Sequence, residues 1–355
     1  MTVRPEDVRR ILVIKLRAVG DVVLSTLVLP NLRRAYPSSS IDFLTEVPSV
    51  DVLRNHPDVD RTVVYDRRTM SSTGLIRAIR RGRYDLIIDL FGNPRTALVT
   101  RLSGARFRVG YNFRGRSYAY NIVVTPRGGE VHNTQFNLDA LEHIGVPIAD
   151  RTLRFYYSAD DARYVERALA GSGLQQGLLV GVNAGGGWYT KRWHLRDFAA
   201  LADRIHERFG WSIVLPWGPG QEGDVETIAR HTRTAPWIPP ATTLPQLAAL
   251  LARCAYVVSN DSGPMHIAAA VGTPVLGIFG PTRPELQGPY GEANRTVRNE
   301  SLGCLGCNLT SCPIGNPCMN DLSVDTVFAA FEELQRSNPE RPSIYDHVTD
   351  SHPRL

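Results

Sequence analysis

Residues 257–290 read VVSNDSGPMHIAAAVGTPVLGIFGPTRPELQGPY, and the order of residue types in this stretch sets the fold class. Tyr256-Val257-Val258 ends an apolar run of the kind that forms a buried strand. Asn260-Asp261-Ser262-Gly263 has turn chemistry. Residues 264–271 are small and suit a helix packed closely on a sheet, which Gly272-Thr273-Pro274 stops. Residues 275–279 make a second buried strand. A strand–turn–helix–strand unit points the unpaired N–H groups of the helix start at the carboxyl edge of the sheet. Those groups and the helix macrodipole favour phosphate there. Gly263 permits close approach, Ser262 adds a hydroxyl, and His266 follows one helical turn on. The same residues would also serve an ordinary α/β protein in which Asp261 or Ser262 caps the helix. Other stretches have to separate the two readings.

The chain has 355 residues, enough for two domains of ordinary size. Its hydrophobic fraction of 43% and charged fraction of 21% are those of a soluble globular protein. No run of 18 or more apolar residues occurs, and the N-terminus, MTVRPEDVRR, is polar and leads straight into a strand. The expectation is a cytoplasmic protein. Its net charge is +5, with an arginine-dense stretch from Arg77 to Arg116. That points to an anionic substrate or membrane surface, or to no more than a solvated basic face. Nucleic-acid motifs are absent.

Apolar runs at 10–16, 41–44, 62–65 and 85–90 alternate with helical patterns at 22–35, 50–55 and 74–81. Pro30 is a possible kink within the first helix. Short strands at 106–110 and 121–124 and a helix at 133–144 follow. The alternation predicts a parallel sheet and a Rossmann-like domain over 1–150. A second alternation begins with a helix at 160–170 and a strand at 178–182. It continues through 195–209, 212–215, 223–230 and 244–251 and closes with a helix at 324–336. This second Rossmann-like domain covers 151–336, and the polar tail 337–355 is expected to be mobile.

Three stretches carry chemistry. After the first strand, Ala18-Val19-Gly20-Asp21 lacks the GxGxxG spacing of a dinucleotide loop. It offers a carboxylate at a helix start, which serves either as a cap or as a general base. The segment Asn183-Ala184-Gly185-Gly186-Gly187-Trp188-Tyr189-Thr190-Lys191-Arg192-Trp193 follows another strand. Its glycines let backbone fold round a phosphate, Thr190 supplies a hydroxyl and Lys191 a cation, without Walker spacing. The alternative is a flexible glycine turn. Glu222, in Trp217-Gly218-Pro219-Gly220-Gln221-Glu222, is placed to accept hydrogen bonds from a ribose diol or to be a plain surface acid.

KLRAVGDVVLSTLVLPNLRRAYP, HPDVDRTVVYD, NAGGGWYTKRW and SNDSGPMHIAAAVGTPVLGIFGPT together resemble the heptosyltransferases of glycosyltransferase family 9, in order and over about residues 10–335. The resemblance implies a GT-B fold, α/β, with two Rossmann-like domains facing each other across a cleft. The N-terminal domain would bind the acceptor and the C-terminal one the nucleotide-sugar. It implies inverting transfer of heptose from ADP-heptose to the inner core of lipopolysaccharide, with no cofactor for catalysis and no nucleic acid. The acceptor would be an anionic lipid-linked glycan, which brings peripheral contact with the inner membrane into view. Asp21 matches the family's catalytic base. Lys191 matches the lysine that meets diphosphate and sugar, and Gly186, Gly187 and Thr190 lie in its loop. Asp261, Ser262, Gly263 and His266 match the segment around the sugar diphosphate, and Glu222 matches a ribose-binding acid. Two other readings stay open: a transferase for another nucleotide-sugar and acceptor, and a nucleotide-sugar-binding protein without catalysis.

The chain departs from the family where Arg17-Ala18-Val19 precedes Gly20-Asp21. Asp58-Val59-Asp60 matches a metal-binding DxD, yet its position between His56-Pro57 and a strand reads as loop. Cys304, Cys307, Cys312 and Cys318 have spacing in range for a structural zinc or iron–sulfur centre. The alternative is reduced, unligated thiols.

Overall fold

The computed structural model describes residues 2–174, 178–339 and 348–349. The chain divides into two compact units, Met1–Leu153 and Arg154–Leu355.

The first unit is built on β1 (Arg10–Ile14), which is buried from its second residue onward. Burial on both faces explains the unbroken apolar run, because a parallel sheet is covered on both sides. The chain continues through α1 (Val19–Ser25), α2 (Val28–Ala35), β2 (Ser40–Glu46) and β3 (Arg61–Tyr65). It then returns past β1 through α3 (Ser72–Gly82), β4 (Leu86–Asp89), α4 (Pro94–Leu102), β5 (Phe107–Tyr111), β6 (Ile122–Val124) and α5 (Asn133–His143). All six strands are parallel, in the order β3-β2-β1-β4-β5-β6. Strand order therefore reverses between β1 and β4, where Ile14 is paired with Asp89.

Several elements differ from expectation. The helix expected over 22–35 is two helices, and Pro30 is the reason. Its ring has no N–H for the Thr26 carbonyl and crowds it, so Leu29 N bonds to Thr26 O instead, at 2.9 Å. The first helix also starts at Val19, so Asp21 lies inside its first turn rather than in a loop. The segment expected as a helix over 50–55 is a 3₁₀ turn, Val47–Val52. The helix α4 was not foreseen. Asn93 caps it, accepting from Thr96 N at 2.8 Å, and Pro94 follows at its first position.

The second unit runs β7 (Tyr157–Ser158), α6 (Ala159–Ala170), β8 (Leu179–Asn183), α7 (Leu195–Phe209), β9 (Ser212–Val214), α8 (Glu222–His231) and α9 (Leu244–Arg253). Then come β10 (Tyr256–Asn260), α10 (Gly263–Ala270), β11 (Val275–Ile278), α11 (Pro284–Gln287), β12 (Arg295–Val297), α12 (Pro317–Asn320) and α13 (Val324–Ser337). Its sheet is parallel in the order β12-β11-β10-β8-β9, so this sheet reverses between β8 and β10. The core gathers Trp193, Phe198, Phe331 and Met319 beneath α7 and α13. Of the tail expected to be mobile, 337–355, Ser337 closes α13 and Val348–Thr349 pair in parallel with β7, while 340–347 and 350–355 lie outside the described residues.

Candidate functional site

In an open parallel sheet the helices on either side of a strand-order reversal lie on opposite faces, which leaves a crevice at the carboxyl ends of the two strands. In the second unit those ends are Asn183 on β8 and Asn260 on β10. Both amides are buried and organise the loops above them. Asn183 Nδ2 donates to Ser259 Oγ at 2.8 Å and to Ser262 Oγ at 3.0 Å. Asn260 donates to Ala184 O at 2.8 Å and accepts from Trp193 N at 3.2 Å. The glycine loop and the start of α10 are thereby tied to each other.

Lys191 Nζ lies 2.7 Å from Asp261 Oδ2, with side-chain exposures of 14% and 5%. The Thr282 hydroxyl donates to the same oxygen at 2.6 Å. The ammonium sits 4.5 Å from the ring centre of Trp188. An ammonium has three donors, and Asp261 takes only one direction. Ser262 stands at the N-cap of α10 without capping it, so the first N–H groups of the helix keep their capacity for an outside acceptor. Cation, hydroxyl and helix start on one sheet edge suit a diphosphate.

The residues around this pair have separate tasks. Thr190 is buried and its hydroxyl donates to Leu309 O at 2.8 Å, holding the cysteine-bearing segment to the glycine loop. Gly186 O accepts from Arg192 Nε at 2.8 Å, and Gly187 is exposed. A Cβ at Gly185 would meet the Gln221 amide at 2.7 Å, so glycine there lets the loop before α8 close in. Glu222 opens α8 and is exposed. His266 is buried within α10.

The first unit has its own cluster at the reversal between β1 and β4. Asp21 Oδ2 accepts from Ala18 N at 3.1 Å, a reach-back from the first helical turn that also fixes the carboxylate. Lys15 Nζ donates to Leu90 O at 3.2 Å. Burial holds its ammonium below the ordinary lysine range, opposed by the charges of Asp21 and Asp89. Asp89 is fully buried, and that burial pushes its carboxyl upward. Oδ1 of Asp89 accepts from Phe91 N and Gly92 N, and Oδ2 accepts from the Tyr120 hydroxyl at 2.8 Å. Tyr120 reaches it because Gly110 has no side chain: a Cβ there would stand 2.4 Å from the ring.

The profile of glycosyltransferase family 9 (heptosyltransferase) matches residues 72–316. The chain belongs to glycosyltransferase family 9. Lipopolysaccharide heptosyltransferase 3 of Escherichia coli is 29% identical over 283 residues, 75% of this chain and 82% of that one. Among solved structures, a family 9 glycosyl transferase from Veillonella parvula DSM 2008 superposes with a TM-score of 0.82 at 26% identity, covering 94% of this chain and 98% of that one. E. coli heptosyltransferase WaaC with ADP gives a TM-score of 0.71 at 23% identity, over 92% and 99% of the two chains, and speaks to the fold.

In this family 9 chain the sequence reading missed five residues that the tertiary structure sets beside the expected ones. Thr282 lies in the FGPT stretch after β11. Asn183 and Asn260 each end an apolar strand, and Lys15 and Asp89 are charges in or next to such strands. A polar residue ending a buried run was the available signal. The four clustered cysteines differ in exposure. Cys318 is buried, while Cys304 and Cys307 are exposed. Burial first, then the neighbouring thiols, raise the Cys318 thiol to about 11. Among the described residues no group of three His, Cys, Asp or Glu side chains is arranged to hold a metal ion.

Proposed function

We propose that this family 9 glycosyltransferase moves heptose from ADP-heptose to an inner-core acceptor of lipopolysaccharide, with inversion and without a catalytic metal. The Lys191–Asp261 pair beside the start of α10 carries the reading. A leaving diphosphate accumulates negative charge as the glycosidic bond breaks, and a fixed ammonium and helix N–H groups are worth most against charge that develops in the transition state. Asp261 and Thr282 orient that ammonium, and Glu222 meets the ribose. Asp21 takes the proton of the acceptor hydroxyl as its oxygen bonds to the anomeric carbon and the carbon–diphosphate bond breaks. The first unit then serves the acceptor and the second the nucleotide-sugar. The E. coli relative's name supports the sugar and the glycan, and the structure solved with ADP is consistent with the nucleotide. A lipid-linked acceptor sets the enzyme in the cytoplasm at the inner membrane face.

The cysteine segment has a fastening role in this reading, through the Thr190–Leu309 hydrogen bond. A structural zinc or iron–sulfur centre would draw on Cys304, Cys307, Cys312 and Cys318, the first three of which lie near enough to act on the Cys318 thiol. Elemental analysis of protein purified without chelator, beside a fourfold Cys→Ser variant, reads it; absence of zinc and iron ends that part.

The deciding experiment is mass spectrometry of truncated lipopolysaccharide after incubation with ADP-heptose. A gain of one heptose supports the proposal. A gain only with another nucleotide-sugar moves the enzyme to a different donor. Thermal stabilisation by ADP with no transfer from any donor leaves a binding protein.

A further inference from the structure

Arginine is unevenly distributed in this chain. From Arg67 to Arg127 there are thirteen arginines, two aspartates, no lysine and no glutamate. Thirteen less two gives this stretch a formal +11, against +5 for the whole chain. Both aspartates are turned to internal tasks. Asp85 Oδ2 accepts from the backbone of Arg9 and Arg10 at 2.9 and 3.0 Å, and Asp89 is buried under Tyr120. Nothing acidic in the stretch offsets the arginines that point outward.

Two helices present them. On α3, Arg77, Arg80 and Arg81 are exposed at i, i+3 and i+4, one helical face. On α4, Leu98, Arg101 and Leu102 are exposed at the same spacing, with both leucines 41% exposed. The two helices pack side by side, and the 3₁₀ turn Arg116–Ala119, carrying the exposed Tyr118, packs on α4. None of Arg77, Arg80, Arg81 and Arg101 has a carboxylate partner among the described residues. Water serves the arginines at the cost of mutual repulsion and gains nothing from the leucines. An acidic protein or nucleic acid would meet the charge and leave the leucine pair unused. A bilayer with anionic headgroups meets both, since arginine stems lie along apolar surface while their heads reach phosphate.

We propose that the outer face of α3 and α4 docks on an anionic phospholipid bilayer, with Leu98 and Leu102 entering the headgroup layer and Arg77, Arg80, Arg81 and Arg101 against lipid phosphates. This deepens the reading of a lipid-linked acceptor and rests on it for its purpose. Vesicle binding needs no transfer, so the two can fail separately.

Co-sedimentation of the full chain with phosphatidylcholine vesicles, with and without phosphatidylglycerol, tests it. The wild type should bind only the anionic vesicles, and added salt should weaken binding. Arg77→Glu/Arg80→Glu/Arg101→Glu should bind about tenfold or more weakly. Leu98→Gln/Leu102→Gln should weaken binding several-fold with charge intact, while transfer to detergent-dispersed acceptor stays at the wild-type level. These side chains are exposed, and circular-dichroism melting verifies folding. No binding to anionic vesicles overturns the proposal, as does equal binding by the wild type and both variants. So does duplex DNA binding that matches vesicle binding while the leucine variant changes neither, because polyanion attraction alone would then account for the face.

Discussion

Lys191 and Asp261 form an ion pair of 2.7 Å that joins the glycine loop after β8 to the turn before α10. Removing the carboxylate with Asp261→Asn leaves a mostly buried ammonium without its counter-charge. The expected loss is about 2–3 kcal/mol, below that of a fully enclosed pair because Lys191 keeps an open edge. Urea denaturation measures it, and an unchanged midpoint would mean the pair does not hold the loops together.

Lys191→Ala removes the cation that the proposed mechanism sets against the leaving diphosphate. Turnover should fall roughly 10²–10³-fold. Single-turnover kinetics with saturating donor separates this from weakened binding; a change in KM alone would assign Lys191 to ground-state binding.

Asp21 accepts from Ala18 N at the helix start and is the proposed general base, and one substitution distinguishes the two roles. Asp21→Asn keeps an oxygen for the Ala18 N–H, so the helix start should lose no more than about 1 kcal/mol. Transfer should fall roughly 10²–10⁴-fold while ADP affinity by calorimetry holds. Near-normal turnover would remove Asp21 from the role of base.

Asp89 gives a pH dependence with a defined sign. Burial raises its carboxyl above the ordinary value of 3.8. Between that value and the raised one the unfolded chain releases a proton that the native chain keeps, so native stability falls as pH rises through the window. Asp89→Asn lacks this loss. Its stability relative to wild type should therefore climb from about pH 4 and level off above the raised value. Denaturation at a series of pH values reads the difference, and a flat difference would contradict the assignment.

Thiol labelling tests the cysteine segment. At about pH 8 the exposed Cys304 and Cys307 should alkylate, whereas the buried Cys254 and Cys318 should react only after denaturation. Peptide mapping distinguishes the four, and fast labelling of Cys318 in native protein would show that its burial is transient.

Much of this was legible in the chain. Strands such as β1, from Ile11 onward, and β11 carry no polar side chain, and their burial leaves few other residue types possible. The glycine loop and the turn at Asp261 announce themselves by composition, because backbone that approaches phosphate closely needs small residues. Local errors also had local causes. Pro30 broke a helix that periodicity alone had drawn through it, and the Asn93-Pro94 start of α4 went unread.

What tertiary structure alone decided is which charge meets which. Lys191 and Asp261 stand far apart in the sequence, as do Asp89 and Tyr120. Periodicity reports the face on which a residue lies, not its partner from another strand. The strand orders β3-β2-β1-β4-β5-β6 and β12-β11-β10-β8-β9 bring those partners to one edge of each sheet. The same holds for Leu98 and Leu102: their residue type suggests a core, and only the packing of α4 left them facing outward. Sequence supplied the elements and their chemistry, while pairing across the sheet, where burial makes an unpartnered charge costly, selected the ones that act together.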